Sequence, residues 1–328
     1  MTSFEIGELH PNTPHLFADL AELLLLVGYN GRFRLHANDI EALLTGQGIN
    51  ADEIDEEDEE NRALATSAER SSRHERQIED VMEQLAYRAG SFGTSYPFSV
   101  SRSTLVLNPT LNDAQRLYRL LVACSRLRSF GLGGLPQRWA KLFTKVARIA
   151  MKGLAAGTAV TRIFDANSDD RISYYGTDLR NALKVMGNDL AVLSVNEDEC
   201  NKASSSGDGG YDLISVLAFD DDAVTNYAIL GQCGAQETGW PGKTLEAHAI
   251  NCRHYFQMQM DHPSVMFTPV SYRGATGEWV DNRCANGILL ADRRRILHLI
   301  DAHQGLTDIV SEQWFADFEA EFGQFATA

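Results

Sequence analysis

The sequence predicts a mixed α/β protein in two parts: a mostly helical part over residues 1–130 and a strand-containing part over residues 131–328. Three observations carry this reading. Apolar residues recur at helical spacing through most of the first part. Two runs in the second part alternate apolar and polar positions around an acidic turn. A glycine-rich turn over residues 131–134 separates the two patterns.

The first helix opens with Thr13 placed to cap it and Pro14 in its first turn, and Gly28 follows its end. Leu16, Leu20, Leu23, Leu24 and Val27 mark its inward face. A short helix is expected over residues 39–44, then a polar linker over about 46–72. Ile78, Val81, Met82, Leu85 and Ala89 restore the helical period over residues 73–89. Residues 96–107 alternate around Ser101 and Ser103 and read as a hairpin, and residues 112–127 return to helix.

In the second part, Trp139, Leu142, Phe143, Val146 and Ala150 predict one long helix and residues 174–186 another. A turn-rich segment over residues 204–210 leads into strands at 211–219 and 226–233, joined by Asp220, Asp221 and Asp222. A helix over 244–260, a third strand over 264–272 and helices over 287–300 and 311–322 complete the order.

Composition narrows the function. Of 328 residues 44% are hydrophobic, enough for a substantial core, and no run approaches the ~20 apolar residues of a membrane helix. No basic region followed by an apolar run marks a signal peptide, so a cytoplasmic location is expected. The five cysteines are scattered without a CxxC pair, which argues against a disulfide framework or a structural zinc site; Cys252 and His254 lie close but lack a second pair. The net charge of −16 opposes unaided binding to a polyanion. Part of it is local: residues 52–60 hold eight acids in nine positions, the pattern of a solvated linker.

The window with chemical content is Gly207-Asp208-Gly209-Gly210-Tyr211-Asp212-Leu213, followed by Gly231-Gln232-Cys233. A hard cation such as Mg²⁺ takes oxygen ligands and keeps several waters, so a carboxylate with one or two further oxygens is enough to hold it. Adjacent strands deliver those oxygens side by side, and glycines before the first acid let a substrate approach.

These motifs resemble the PD-(D/E)XK restriction-endonuclease superfamily, near Mrr-type and bacterial defence-system nucleases. The resemblance covers residues 138–299. It implies a restriction-endonuclease-like mixed sheet flanked by helices, and a metal-dependent DNA endonuclease using Mg²⁺ (or Mn²⁺). It also implies a role as effector of an antiviral defence assembly, with an ATPase or helicase-like motor as partner. Asp212 and Gln232 match the family's metal-binding positions. The family's lysine position falls on Gly234, and Lys243, beyond Trp240-Pro241-Gly242, is the expected replacement. The family's helix glutamate falls on Thr144, with Asp178 as a possible substitute. The alternative is a catalytically degenerate nuclease fold acting as an interaction or sensing subunit.

Other residues have plainer readings. Asp208 reads as a turn residue, Gln232 equally as a ligand or a strand polar residue, and Trp240 as packing. Arg293, Arg294 and Arg295 fit a phosphate contact or a solvated helix face equally. Asp165, Asn167 and Asp169 open like a calcium loop, but Asp170 stands where that loop needs glycine and Gly176 where it needs glutamate. The segment is therefore expected to be a polar turn.

Overall fold

The computed structural model describes residues 4–7, 9, 13–40 and 67–325. The acidic run at 52–60 and most of the short helix expected at 39–44 lie outside the described residues. The chain divides into two compact units. The first comprises Met1–Pro136, Ser271–Val280 and Ala316–Ala328; the second comprises Gln137–Val270 and Asp281–Phe315.

In the first unit, α1 (Pro14–Leu26) is buried on every side, not along the single stripe its leucines mark. That brings Asp19 and Glu22 inside with the leucines. A buried carboxylate needs a partner, and α2 (Ser67–Phe92, beginning before the expected Arg73) supplies Arg88. Its Nη1 lies 2.7 Å from Asp19 and 2.9 Å from Glu22. Tyr96 and Tyr118 donate to the two oxygens of Glu22 at 2.8 and 2.9 Å. The expected hairpin forms as β2 (Phe98–Ser101) and β3 (Thr104–Leu107), and β3 also pairs with β1 (Arg34–His36). β1 is too short to show a period in the sequence. α3 (Asp113–Ser125) starts in a capping box between Asn112 and Gln115.

The second unit is a mixed α/β layer structure. α4 (Leu135–Lys152) precedes β4 (Val160–Ile163), a strand the sequence reading missed. It has only four residues and forms one edge of the sheet, too little for a legible alternation. A single π-type turn at Arg171–Tyr175 and α5 (Leu179–Asp189) replace the helix expected over 174–186. β5 (Ser194–Val195) and α6 (Glu197–Lys202) follow, then β6 (Leu213–Leu217) and β7 (Tyr227–Cys233), the two predicted strands trimmed at their ends.

The helix expected over 244–260 shrinks to α7 (Ala249–Tyr255). Trp240–Lys243 forms a 3₁₀ turn instead, and His248 Nδ1 caps α7 by accepting from Ile250 N at 3.1 Å. β8 (Phe256–Gln257) pairs with β5. The third predicted strand stops early as β9 (Ser264–Phe267). The helix expected over 287–300 divides into β10 (Leu289–Ala291) and α8 (Arg293–Ala302), because Asp292 between them caps the helix by accepting from Arg295 N. α9 (Leu306–Val310) and α10 (Gln313–Gly323) end the described chain.

The five-stranded sheet has the order β10-β9-β7-β6-β4. β4, β6 and β7 are antiparallel neighbours, whereas β9 and β10 continue parallel to β7. Its apolar side chains emerge on both faces, as a sheet covered on two sides requires. Ile214, Val216, Ala228 and Leu230 pack with Leu179, Leu183 and Met186 of α5 in one buried cluster. On the opposite face Gly231 sits against Met151 of α4 and Phe267. Each fully buried leucine or phenylalanine contributes about 1.5–3 kcal/mol of transfer free energy, so these two layers hold the strand ends that carry the polar residues.

Candidate metal centre

Asp212 stands immediately before β6, after the glycine-rich turn. The turn is built by Asp208, whose Oδ1 accepts from Gly210 N at 2.8 Å and whose carbonyl accepts from Tyr211 N at 3.2 Å. Gly210 has φ +89°, which favours glycine, and a Cβ there would also come within a tight 3.1 Å of Glu246. The Asp212 carbonyl accepts from Phe164 N at 2.7 Å and Asp165 N at 3.3 Å, which draws the segment after β4 alongside. As a result Asp165, Asp208 and Asp212 each present a carboxylate oxygen, and the three oxygens lie within 4.8 Å of one another.

This corrects the reading of two residues. Asp208 is a turn residue as expected, but its carboxylate also belongs to the cluster. Asp165 is not merely the start of a polar turn: it is a member of the site. The rest of that segment serves the backbone, since Asp170 Oδ2 accepts from Ile163 N at 2.8 Å and Ser168 Oγ donates to Ile163 O. The one signal at Asp165 was its place at the opening of the calcium-loop-like segment, which the missing glycine and glutamate set aside, and the strand before it was not recognised.

The electrostatics follow from burial. Asp212 is 8% exposed, and desolvation pushes its carboxyl up to about 7. The hydrogen bond from Cys233 N, at 2.7 Å, works against that rise. The charges of Asp208 and Asp165 add to it, and Lys243 opposes it. Burial likewise raises the Asp165 carboxyl, with Lys141 pulling it down and Asp208 pushing it up. None of the three acids makes a salt bridge among the described residues. Arg171, buried nearby, spends Nε on Gly176 O and Nη1 on Phe164 O.

The other expected residues fall as follows. Gln232 is buried near the end of β7; its Nε2 donates to Glu246 at 2.9 Å, while its Oε1 is buried and accepts no hydrogen bond. Glu246 was invisible in the sequence because it lies in an irregular segment before α7. Lys243, half-buried in its 3₁₀ turn, acts on Asp212 through its charge. Gly234 cannot carry the family's lysine without a shift in its neighbours: a Cβ there would lie 2.4 Å from Trp240 Cβ and 2.5 Å from Met266 Cε. Trp240 is fully buried, as its packing role requires.

Thr144 is buried on α4 and its hydroxyl turns back to Ala140 O. Asp178 does not join the cluster; it caps α5 and pairs with Arg180. The arginine run is structural in two of its three members, since Arg293 donates to Pro269 O at 2.8 Å and Arg295 to Leu290 O at 2.7 Å. Cys252 meets the Tyr211 hydroxyl, and His254 pairs with Glu199. No described helix is long and apolar enough to cross a membrane.

Three carboxylate oxygens at these separations fit a small hard cation, whose bonds to oxygen are about 2.0–2.6 Å for Mg²⁺ or Ca²⁺. No protein-family model matches this chain, and neither a curated protein nor a solved structure does.

Proposed function

We propose that the second unit is a metal-dependent DNA endonuclease domain of the PD-(D/E)XK kind, acting on phosphodiester bonds. The observation that carries this is the carboxylate cluster of Asp165, Asp208 and Asp212 at the start of a central antiparallel strand. The mixed sheet supports the same reading, since Asp212 immediately precedes β6 and Gln232 lies on the neighbouring antiparallel strand β7.

Asp165, Asp208 and Asp212 would hold Mg²⁺ or Mn²⁺, and the buried Gln232 Oε1 is a further acceptor near the same strand end. A bound divalent ion would polarise the scissile phosphate and lower the pKa of a water. Asp212, as the most desolvated acid, gives up its proton when the ion is bound. Lys243 offsets negative charge beside Asp212, where a phosphate would add more. The defence assembly and the motor partner rest on the family resemblance alone.

A second reading has its own observation. The packing at Gly234, just after β7, admits a side chain only if Trp240 and Met266 shift, which suits a catalytically degenerate nuclease fold acting as an interaction or sensing subunit. Plasmid nicking by the full chain in Mg²⁺ and Mn²⁺, alone and with the products of neighbouring genes, separates the two. The endonuclease reading expects divalent-dependent nicking that Asp212→Ala abolishes. It also expects Lys243→Ala to reduce nicking sharply while Mn²⁺ binding persists. Saturable Mn²⁺ binding with no nicking under any of these conditions establishes the second reading instead.

A further inference from the structure

α4 presents Lys141, Lys145, Arg148 and Lys152 along one side, spaced by four, three and four residues, so that they form a stripe about 16 Å long. All four line a groove of about 490 Å³ whose margin includes Asp165 of the carboxylate cluster. Lys141 is the member whose charge acts on Asp165, which fixes the end of the stripe nearest the cluster. Trp314 lies in the same groove, half-buried, with Lys145 Nζ 5.7 Å from its ring centroid. The rest of the lining is rich in acids, with Asp169, Asp170, Asp308 and Glu312, and Asp170 engages Arg148 at 3.4 Å.

We propose that this groove is the track for one strand of single-stranded DNA, its phosphates on the α4 stripe and a base against Trp314. The proposal rests on the nuclease reading and adds the form of the substrate. A basic stripe with an aromatic face is how sequence-neutral single-strand sites are built. The volume lies within the range of about 300–1,000 Å³ that small-ligand sites occupy, room for a short stretch of single strand. Only an unpaired strand can lay a base on Trp314, so the aromatic face is what selects a single strand. The overall charge of −16 keeps the contact weak and local.

The test is fluorescence anisotropy of the full chain with a labelled oligothymidylate and a labelled duplex of equal length, in Ca²⁺. Lys141→Glu and Lys145→Glu are compared with Lys202→Glu, an exposed reversal on α6 that changes net charge by the same amount. Circular dichroism and thermal melts confirm that each variant is folded. The groove predicts that the wild type prefers the single strand. It predicts at least a tenfold loss for either α4 reversal, with the salt slope falling by about 0.7 per phosphate contact removed. Lys202→Glu changes binding little. Equal loss in all three variants, unchanged binding in the α4 variants, or preference for the duplex overturns the proposal. Because binding is read without cleavage, loss of the track leaves the nicking assay to judge the nuclease reading separately.

Discussion

Two groups of carboxylates, one fully buried and one with only Asp212 buried and Asp165 and Asp208 half-buried, are handled in opposite ways. In the first unit Asp19 and Glu22 meet Arg88 and two tyrosine hydroxyls, so the charge is largely compensated within the fold. In the second unit Asp165, Asp208 and Asp212 crowd together without a salt bridge among the described residues, and Lys243, Lys141 and Arg171 soften the field only through their charge. An acid group compensated from inside is a structural element. One left to be compensated from outside is a candidate cation site. Burial acts alike in the two regions by favouring the neutral form: it holds the His15 imidazole, beside Asp19 and Arg88, down at about 4 and drives the Asp212 carboxyl up to about 7.

The comparison breaks most visibly at Arg88. Arg88→Met leaves Asp19 and Glu22 buried without their cation, and removing one partner of a buried ion pair costs about 3–5 kcal/mol. Urea denaturation at neutral pH should show a loss of that size. A loss below about 1 kcal/mol would mean that the network is not what neutralises the acids.

The next effect has the opposite sign. Asp212 is protonated more readily folded than unfolded, so its contribution is fully present below the unfolded value near 3.8 and is lost as pH rises through about 7. Asp212→Asn removes that loss, and the asparagine oxygen still accepts from Cys233 N. The variant should be more stable than wild type by up to about 4 kcal/mol at pH 8 in chelator, and nearly equal at pH 4. Melting curves across pH check this, and a variant less stable at pH 8 contradicts it.

Smaller still is Gly234→Ala, expected to cost about 1–3 kcal/mol by overpacking against Trp240 and Met266. A neutral result would reopen β7 as a place for the missing lysine.

The β6–β7 hairpin was readable because its residues alternate around an acidic turn, and Asp212 and Gln232 came with it. Asp165 was readable only as the opening of an incomplete calcium loop with Asn167 and Asp169, because the four-residue edge strand before it shows no period and its partners Asp208 and Asp212 lie far along the chain. Glu246 was hidden in a segment with no period, and only the fold brings it to Gln232. In the first unit the leucine stripe of α1 was plain, but its complete burial was not, because Arg88 lies far along the chain. Local periods reveal elements; charge compensation is settled by tertiary neighbours.

Calorimetric titration of Mn²⁺ into the full chain at pH 6 and pH 8 tests the central claim most directly. The account predicts one saturable site, about tenfold tighter at pH 8 because Asp212 must lose its proton. It also predicts that Asp212→Asn abolishes the site and Asp165→Asn weakens it. No saturable binding, or equal affinity in wild type and Asp212→Asn, would contradict it.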